Sequence, residues 1–229
     1  IIEENDFIAG GFLWTGQDYV GEAGWPSSGW PTGLIDLSGT EKAQGIWHRA
    51  AWRKDKPVVG IAVRDERLDI DHGRDLWQWP RIASIWNFPA YYEGLVMEVQ
   101  TITNCEQVQL AINGKVMGVK RTADFANHTI VWQVPYTPGH IEAKGINGTD
   151  TVAHYELRTA GDPVALKATA DRTALTADGQ DLSYIQLQLV DKDGIAVPHK
   201  NLRIKGTVEG PAKLVGLINN DLRRTTPFT

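Results

Sequence analysis

Hydrophobic and polar positions follow two different patterns along this chain, and the change falls near residue 58. Before it, Ala43, Ile46, Trp47, Ala50 and Ala51 recur at three- and four-residue spacing, which predicts an amphipathic helix from Glu41 to Arg53. Asp36, Ser38 and Thr40 offer capping groups ahead of it, and Lys56-Pro57 ends it, because the residue before proline is pushed out of the α region. Upstream, Phe7, Ile8, Phe12 and Leu13 form a short β-favouring run that gives way to Trp14, Gln17, Asp18, Tyr19 and Glu22. A loop rich in Gly, Pro, Ser and Trp (23–33) then excludes regular structure. Strand, polar aromatic loop and helix together make one β/α unit, which leaves most of its apolar surface exposed when alone.

After residue 58 the period becomes that of β structure. Val58–Val63 is a short continuous apolar strand. Further strands are expected at Leu95–Thr103, Val108–Ile112, Lys115–Val119, Thr129–Val134, His140–Ile146 and Val152–Leu157. Asn113-Gly114 between two of them is the strongest short hairpin signal. About seven strands at this spacing suggest an immunoglobulin-like sandwich. Residues 159–163 form a linker, after which Val164–Asp171, Ser183–Asp191, Leu202–Val208 and Lys213–Ile218 predict a second β unit. It has fewer strands than a closed sandwich and is expected to be cut short, leaving an unpaired edge.

Composition narrows the function. A formal net charge of −5 with no basic cluster argues against a nucleic-acid partner, and no apolar run is long enough for a membrane helix. The N-terminus lacks the basic start and apolar centre of a signal peptide, so the chain reads as a piece of something longer. The single cysteine, Cys105, allows neither an intrachain disulfide nor a thiolate metal cluster. The acidic run in Arg64–Arg74 does not follow the spacing of an EF-hand loop, and we expect no metal and no cofactor. Phosphate-loop, zincin and nucleophile-elbow motifs do not occur. Tryptophan is the informative residue: there are nine, seven of them in the first 80 positions. An indole face packs against the C–H groups of a sugar ring while its N–H reaches a hydroxyl, although each single Trp is more commonly a core residue.

Gly10-Gly11-Phe12-Leu13-Trp14-Thr15-Gly16-Gln17-Asp18-Tyr19-Val20-Gly21-Glu22, with the Trp-Pro loop and the helix through Lys42 and Trp47, resembles the eighth strand, loop and helix of the catalytic barrel in glycoside hydrolase family two, the β-galactosidase family. Val108–Lys115 and Trp132–Ala143 resemble the β-sandwich that follows that barrel. Ala170–Leu182, Val190–Gly194 and Val208–Ala212 resemble the next immunoglobulin-like domain. Asn219-Asn220-Asp221 stands where members usually carry Asn-Gly-Asp.

The resemblance implies a mainly β chain in three parts: the last β/α unit of a TIM barrel (1–57), an immunoglobulin-like sandwich (58–160) and a second, incomplete one (161–229). It implies the C-terminal portion of a retaining glycosidase acting on β-linked sugars. Trp14 would be the platform under the sugar, and Asp18 and Glu22 would bind sugar hydroxyls or pin the loop. The family's two catalytic glutamates lie on earlier barrel strands, so this chain carries no catalytic residue and is expected to be inactive alone. The expected partners are a carbohydrate substrate, the rest of the barrel and a second copy of the chain. The compartment stays open, with the periplasm or exterior favoured for a bacterial source. Two other readings are a carbohydrate-binding module using Trp77, Trp79, Trp86, Tyr91 or Tyr92, and a purely structural role. The structural role is preferred of the two, because Trp79-Pro80 and Trp86 sit among apolar neighbours.

Overall fold

The computed structural model describes residues 5–25, 27–64, 81–198, 200 and 202–223. The acidic run after Arg64, together with Trp77 and Trp79, lies outside them. The described chain is mainly β with little helix. Its elements are β1 (Tyr19–Val20), β2 (Gly29–Trp30), α1 (Ala43–Trp52), β3 (Val59–Arg64), β4 (Ile82–Ala83), β5 (Val96–Thr103), β6 (Gln107–Ile112), β7 (Lys115–Arg121), β8 (Thr129–Pro135), β9 (His140–Asn147), β10 (Asp150–Arg158), β11 (Ala165–Ala170) and β12 (Ile185–Val190). No described helix is long and apolar enough to cross a membrane.

Two four-stranded antiparallel sheets, ordered β4-β3-β5-β8 and β10-β9-β6-β7, close on one apolar core. Strand alternation supplies it: Ile61 and Val63 of β3, Met97 and Val99 of β5, and Ile130, Trp132 and Val134 of β8 face Val108, Leu110 and Ile112 of β6 and Ile141 and Ala143 of β9. An aromatic group fills one end, with the Trp86 and Tyr136 rings 4.9 Å apart and Phe88 stacked 5.2 Å from Tyr92. The buried Trp86 indole donates to the Thr137 carbonyl at 3.0 Å, so its one polar atom is satisfied. Trp86 and Tyr92 are therefore core residues, while Tyr91 is exposed. Asn113 and Gly114 turn the β6–β7 hairpin with φ of 49° and 79°, as the sequence signal requires.

The helix covers the outer face of the first sheet. Ala43, Ile46 and Ala50 pack on Val58, Ala62, Ile82 and Ile102. Since β3 is thus buried on both faces, it reads as an unbroken apolar run in the sequence. Asp36 does not cap α1. The N-cap is Lys42, without a side-chain bond, while Asp36 Oδ1 accepts from the Ser38 and Thr40 amides at 2.9 and 2.8 Å and so closes its own turn.

Three expected strands do not form. Residues 7–13 form no strand, and Phe7 and Phe12 stand in solvent. Leu202–Val208 and Lys213–Ile218 likewise pair with nothing among the described residues, so only the β11–β12 hairpin of the second unit forms. The reason is common to all three: a strand is fixed by the N–H and C=O groups of a neighbour, and β-favouring side chains alone do not provide one. Asp191 ties this hairpin to the linker, accepting from the Gly161 amide at 2.8 Å and from the Asp193 and Ile195 amides at 2.9 Å.

Candidate functional site

The polar stretch after residue 13 is shaped by two short pairings. Tyr19 and Val20 pair with Trp30 and Gly29, and the Asp18 amide donates to the Ile35 carbonyl at 2.9 Å. Gly33 lies so close that a Cβ there would run into the backbone of Gln17 and Asp18, which is why that position needs glycine. The breaker-rich loop is therefore a folded return that lies beside Asp18, although it forms little regular structure.

Asp18 is buried at 7% exposure. Its Oδ1 accepts from Lys42 Nζ and from the Gly33 amide, both at 2.7 Å. Lys42 also donates to the Pro31 carbonyl at 2.8 Å, so one ammonium at the start of α1 holds two segments of the loop. Burial pushes the Asp18 carboxyl above its ordinary value, against the opposing pull of Lys42 and the Gly33 amide.

Trp14 is 59% exposed. Its indole edge meets the Tyr19 ring at right angles with centroids 6.0 Å apart, and its Nε1 donates to the Tyr19 hydroxyl at 3.1 Å. That hydroxyl donates onward to Glu22 Oε2 at 2.9 Å, and the Trp30 indole donates to the Glu22 carbonyl. The peptide bond between Trp14 and Thr15 is cis. The three residues picked from the sequence thus fall into two groups: Trp14 and Glu22 share Tyr19, whereas Asp18 is turned towards Lys42 and Gly33. An open aromatic face beside a fixed phenol and carboxylate can stack on an apolar ring face and bond its hydroxyls.

Lys42, Gly33 and Trp30 are structural partners that the sequence reading left without a role. The pairing of Asp18 with Lys42 has no local signal in the sequence: the need for a partner follows only from the burial of Asp18.

The family model for the glycoside hydrolase family 2 C-terminal domain 5 matches residues 166–229, and the model for a domain of unknown function, DUF4982, matches residues 94–153. A β-galactosidase of Bacteroides ovatus is 31% identical over 226 residues, which cover 96% of this chain and 23% of that protein. A putative β-glucuronidase of Formosa agariphila is 24% identical over 227 residues, covering 96% of this chain and 20% of that protein. Among solved structures, a glycosyl hydrolase family 2 member from Bacteroides cellulosilyticus is 37% identical with a TM-score of 0.71, over 85% of this chain and 25% of its own. A β-glycosidase from Bacteroides vulgatus is 29% identical with a TM-score of 0.64, over 80% and 20%. The chain thus spans about a quarter or less of these relatives. It belongs to glycoside hydrolase family 2, as a C-terminal portion of a member of that family.

Proposed function

We propose that the chain is the C-terminal part of a retaining, β-galactosidase-like glycosidase and that residues 10–22 form one wall of its sugar site. Trp14 supplies the platform, Glu22 a hydroxyl acceptor, and Asp18 a positioning group that holds the loop through Lys42. The observation that carries this reading is an exposed indole whose edge is fixed by Tyr19, a geometry suited to stacking on a pyranose. On this reading 1–57 is the closing β/α unit of a (β/α)8 barrel, and residues 7–13 complete their strand against its neighbours. Residues 58–160 and 161–229 are then immunoglobulin-like accessory domains. The acid/base and nucleophile, which a retaining mechanism needs about 5 Å apart, belong to barrel strands outside this sequence. The relatives named as β-galactosidase and β-glucuronidase support β-linked sugars as the substrate class. Burial of Trp86 and Tyr92 supports a buttressing role for the two-sheet unit over sugar binding by it.

In the enzyme that joins this chain to its barrel, Trp14→Ala should lower kcat/KM for a nitrophenyl β-galactoside by roughly 10-fold or more, and Trp14→Phe by less. Unchanged kcat/KM in Trp14→Ala refutes the platform. The 229-residue chain alone should show no turnover, and hydrolysis by it would overturn the assignment of the catalytic carboxylates elsewhere.

A further inference from the structure

The end of the described chain returns to the candidate site. The Leu222 carbonyl accepts from the Ser28 amide at 2.5 Å and from the Ser28 hydroxyl at 2.6 Å, a contact spanning 194 residues. Its side chain is 5% exposed and lies against Gly29, where a Cβ would come within 2.8 Å of Leu222 Cδ2. Two residues earlier, Asn220 Nδ2 donates to Asp36 Oδ2 at 2.8 Å and to the Ser38 hydroxyl at 2.9 Å. These are two separate attachments, one that joins a buried side chain to a bonded carbonyl and one made by a side-chain amide.

One attachment leads to Trp14 by a short path, and the other to Gln17, three residues further on. From Ser28, its carbonyl accepts from the Gly21 amide at 2.7 Å, and the β1–β2 pairing then sets Tyr19, to which the Trp14 indole donates. From Asp36, its carbonyl accepts from Gln17 Nε2 at 3.2 Å, next to Asp18. The two paths therefore end at Tyr19 and Gln17, the residues that flank Asp18, where the loop is also held by Lys42.

We propose that residues 219–223 are a strap that positions the Trp14 platform from the distal end of the chain, with Asn220 and Leu222 as its positioning residues. The inference rests on the reading of Trp14 as a sugar platform. It adds that the C-terminal unit takes part in sugar recognition by fixing the loop that carries the indole. A side chain can stack productively only where its supporting groups hold it, and a displacement of about 1 Å is enough to lower turnover strongly. Asparagine suits position 220 because its amide donates to a carboxylate. Aspartate there would place two carboxylates face to face.

The test has a structural and a functional arm. In the 229-residue chain, Asn220→Asp and Leu222→Asp should shift the Trp14 indole N–H resonance and speed exchange of the Gly21 amide by about 10-fold or more, while the melting of the two-sheet core stays unchanged. Asp36→Asn should rescue Asn220→Asp, since it removes the opposed charge. An unmoved Trp14 resonance together with unchanged Gly21 exchange overturns the strap. In the enzyme carrying the barrel, the same variants should raise KM for a nitrophenyl β-galactoside more than they lower kcat. Shifted resonances with unchanged KM and kcat overturn the positioning role. If Trp14→Ala also leaves kcat/KM unchanged, the sugar platform falls while the mechanical coupling measured in the first arm stands.

Discussion

Replacing Lys42 by methionine removes both donors that this ammonium gives to the loop, and leaves the buried Asp18 carboxylate with the Gly33 amide. Breaking a buried ion pair from one side costs about 3–5 kcal/mol, because the remaining charge keeps its desolvation penalty. Lys42 is 22% exposed, so water relieves part of that penalty and the expected cost is ~2 kcal/mol. At 1.36 kcal/mol per decade this is roughly a 30-fold increase in local opening. Native-state exchange of the Gly33 and Asp18 amides reads it directly, since both are bonded inside the loop. The pH dependence follows from the sign of the shift. Burial already raises the Asp18 carboxyl, and losing Lys42 raises it further. The deficit should therefore be full at neutral pH and shrink as pH falls through the raised value, where the group takes up its proton. Asp18→Asn in the Lys42→Met background should restore most of the protection, because a buried amide carries no charge. Exchange in Lys42→Met equal to that of the parent, or a deficit that neither low pH nor Asp18→Asn reduces, refutes the view that the pair holds this loop.

Other expectations concern the scaffold. Trp86→Ala removes a buried ring and its bond to Thr137, and should destabilise the two-sheet core by about 3–5 kcal/mol in chemical denaturation. Gly60→Ala would put a methyl group 2.5 Å from Ile46 Cγ2, so α1 must shift off the sheet. We expect a loss of about 1–3 kcal/mol with a change in the near-ultraviolet signal of Trp47. Asp191 is held below the usual carboxylate range by the Gly161 amide first and by those of Ile195 and Asp193, against the opposing effect of burial. Its contribution is therefore present above the ordinary value and is lost as pH falls through the depressed one. Exchange of the Gly161 amide should separate Asp191→Asn from the parent at pH 6, and the two should converge in acid, once pH has fallen below the depressed value. A difference that persists there would show that charge is not what binds the linker.

Elements whose signals are local were legible in the sequence. The spacing of Ala43, Ile46, Trp47 and Ala50 placed α1, a continuous apolar run placed β3, and alternation bounded by turns such as Asn113-Gly114 placed β5 to β10, the strands to within one or two residues. The resemblance around Gly10–Glu22 singled out Trp14, and the structure leaves that indole exposed and fixed by Tyr19. The rest depended on contacts between segments far apart in the chain. Phe7–Leu13, Leu202–Val208 and Lys213–Ile218 carry β-favouring residues, yet none is a strand, because β structure needs a partner that composition cannot specify. The burial of Asp18 is satisfied by a lysine 24 residues away, and the loop beside it is fastened by a leucine 194 residues from Ser28. Helical and turn signals lie within a few bonds of the residues they govern. A buried charge and a docked side chain are satisfied by whatever the fold brings within about 3 Å, and sequence distance plays no part in that condition.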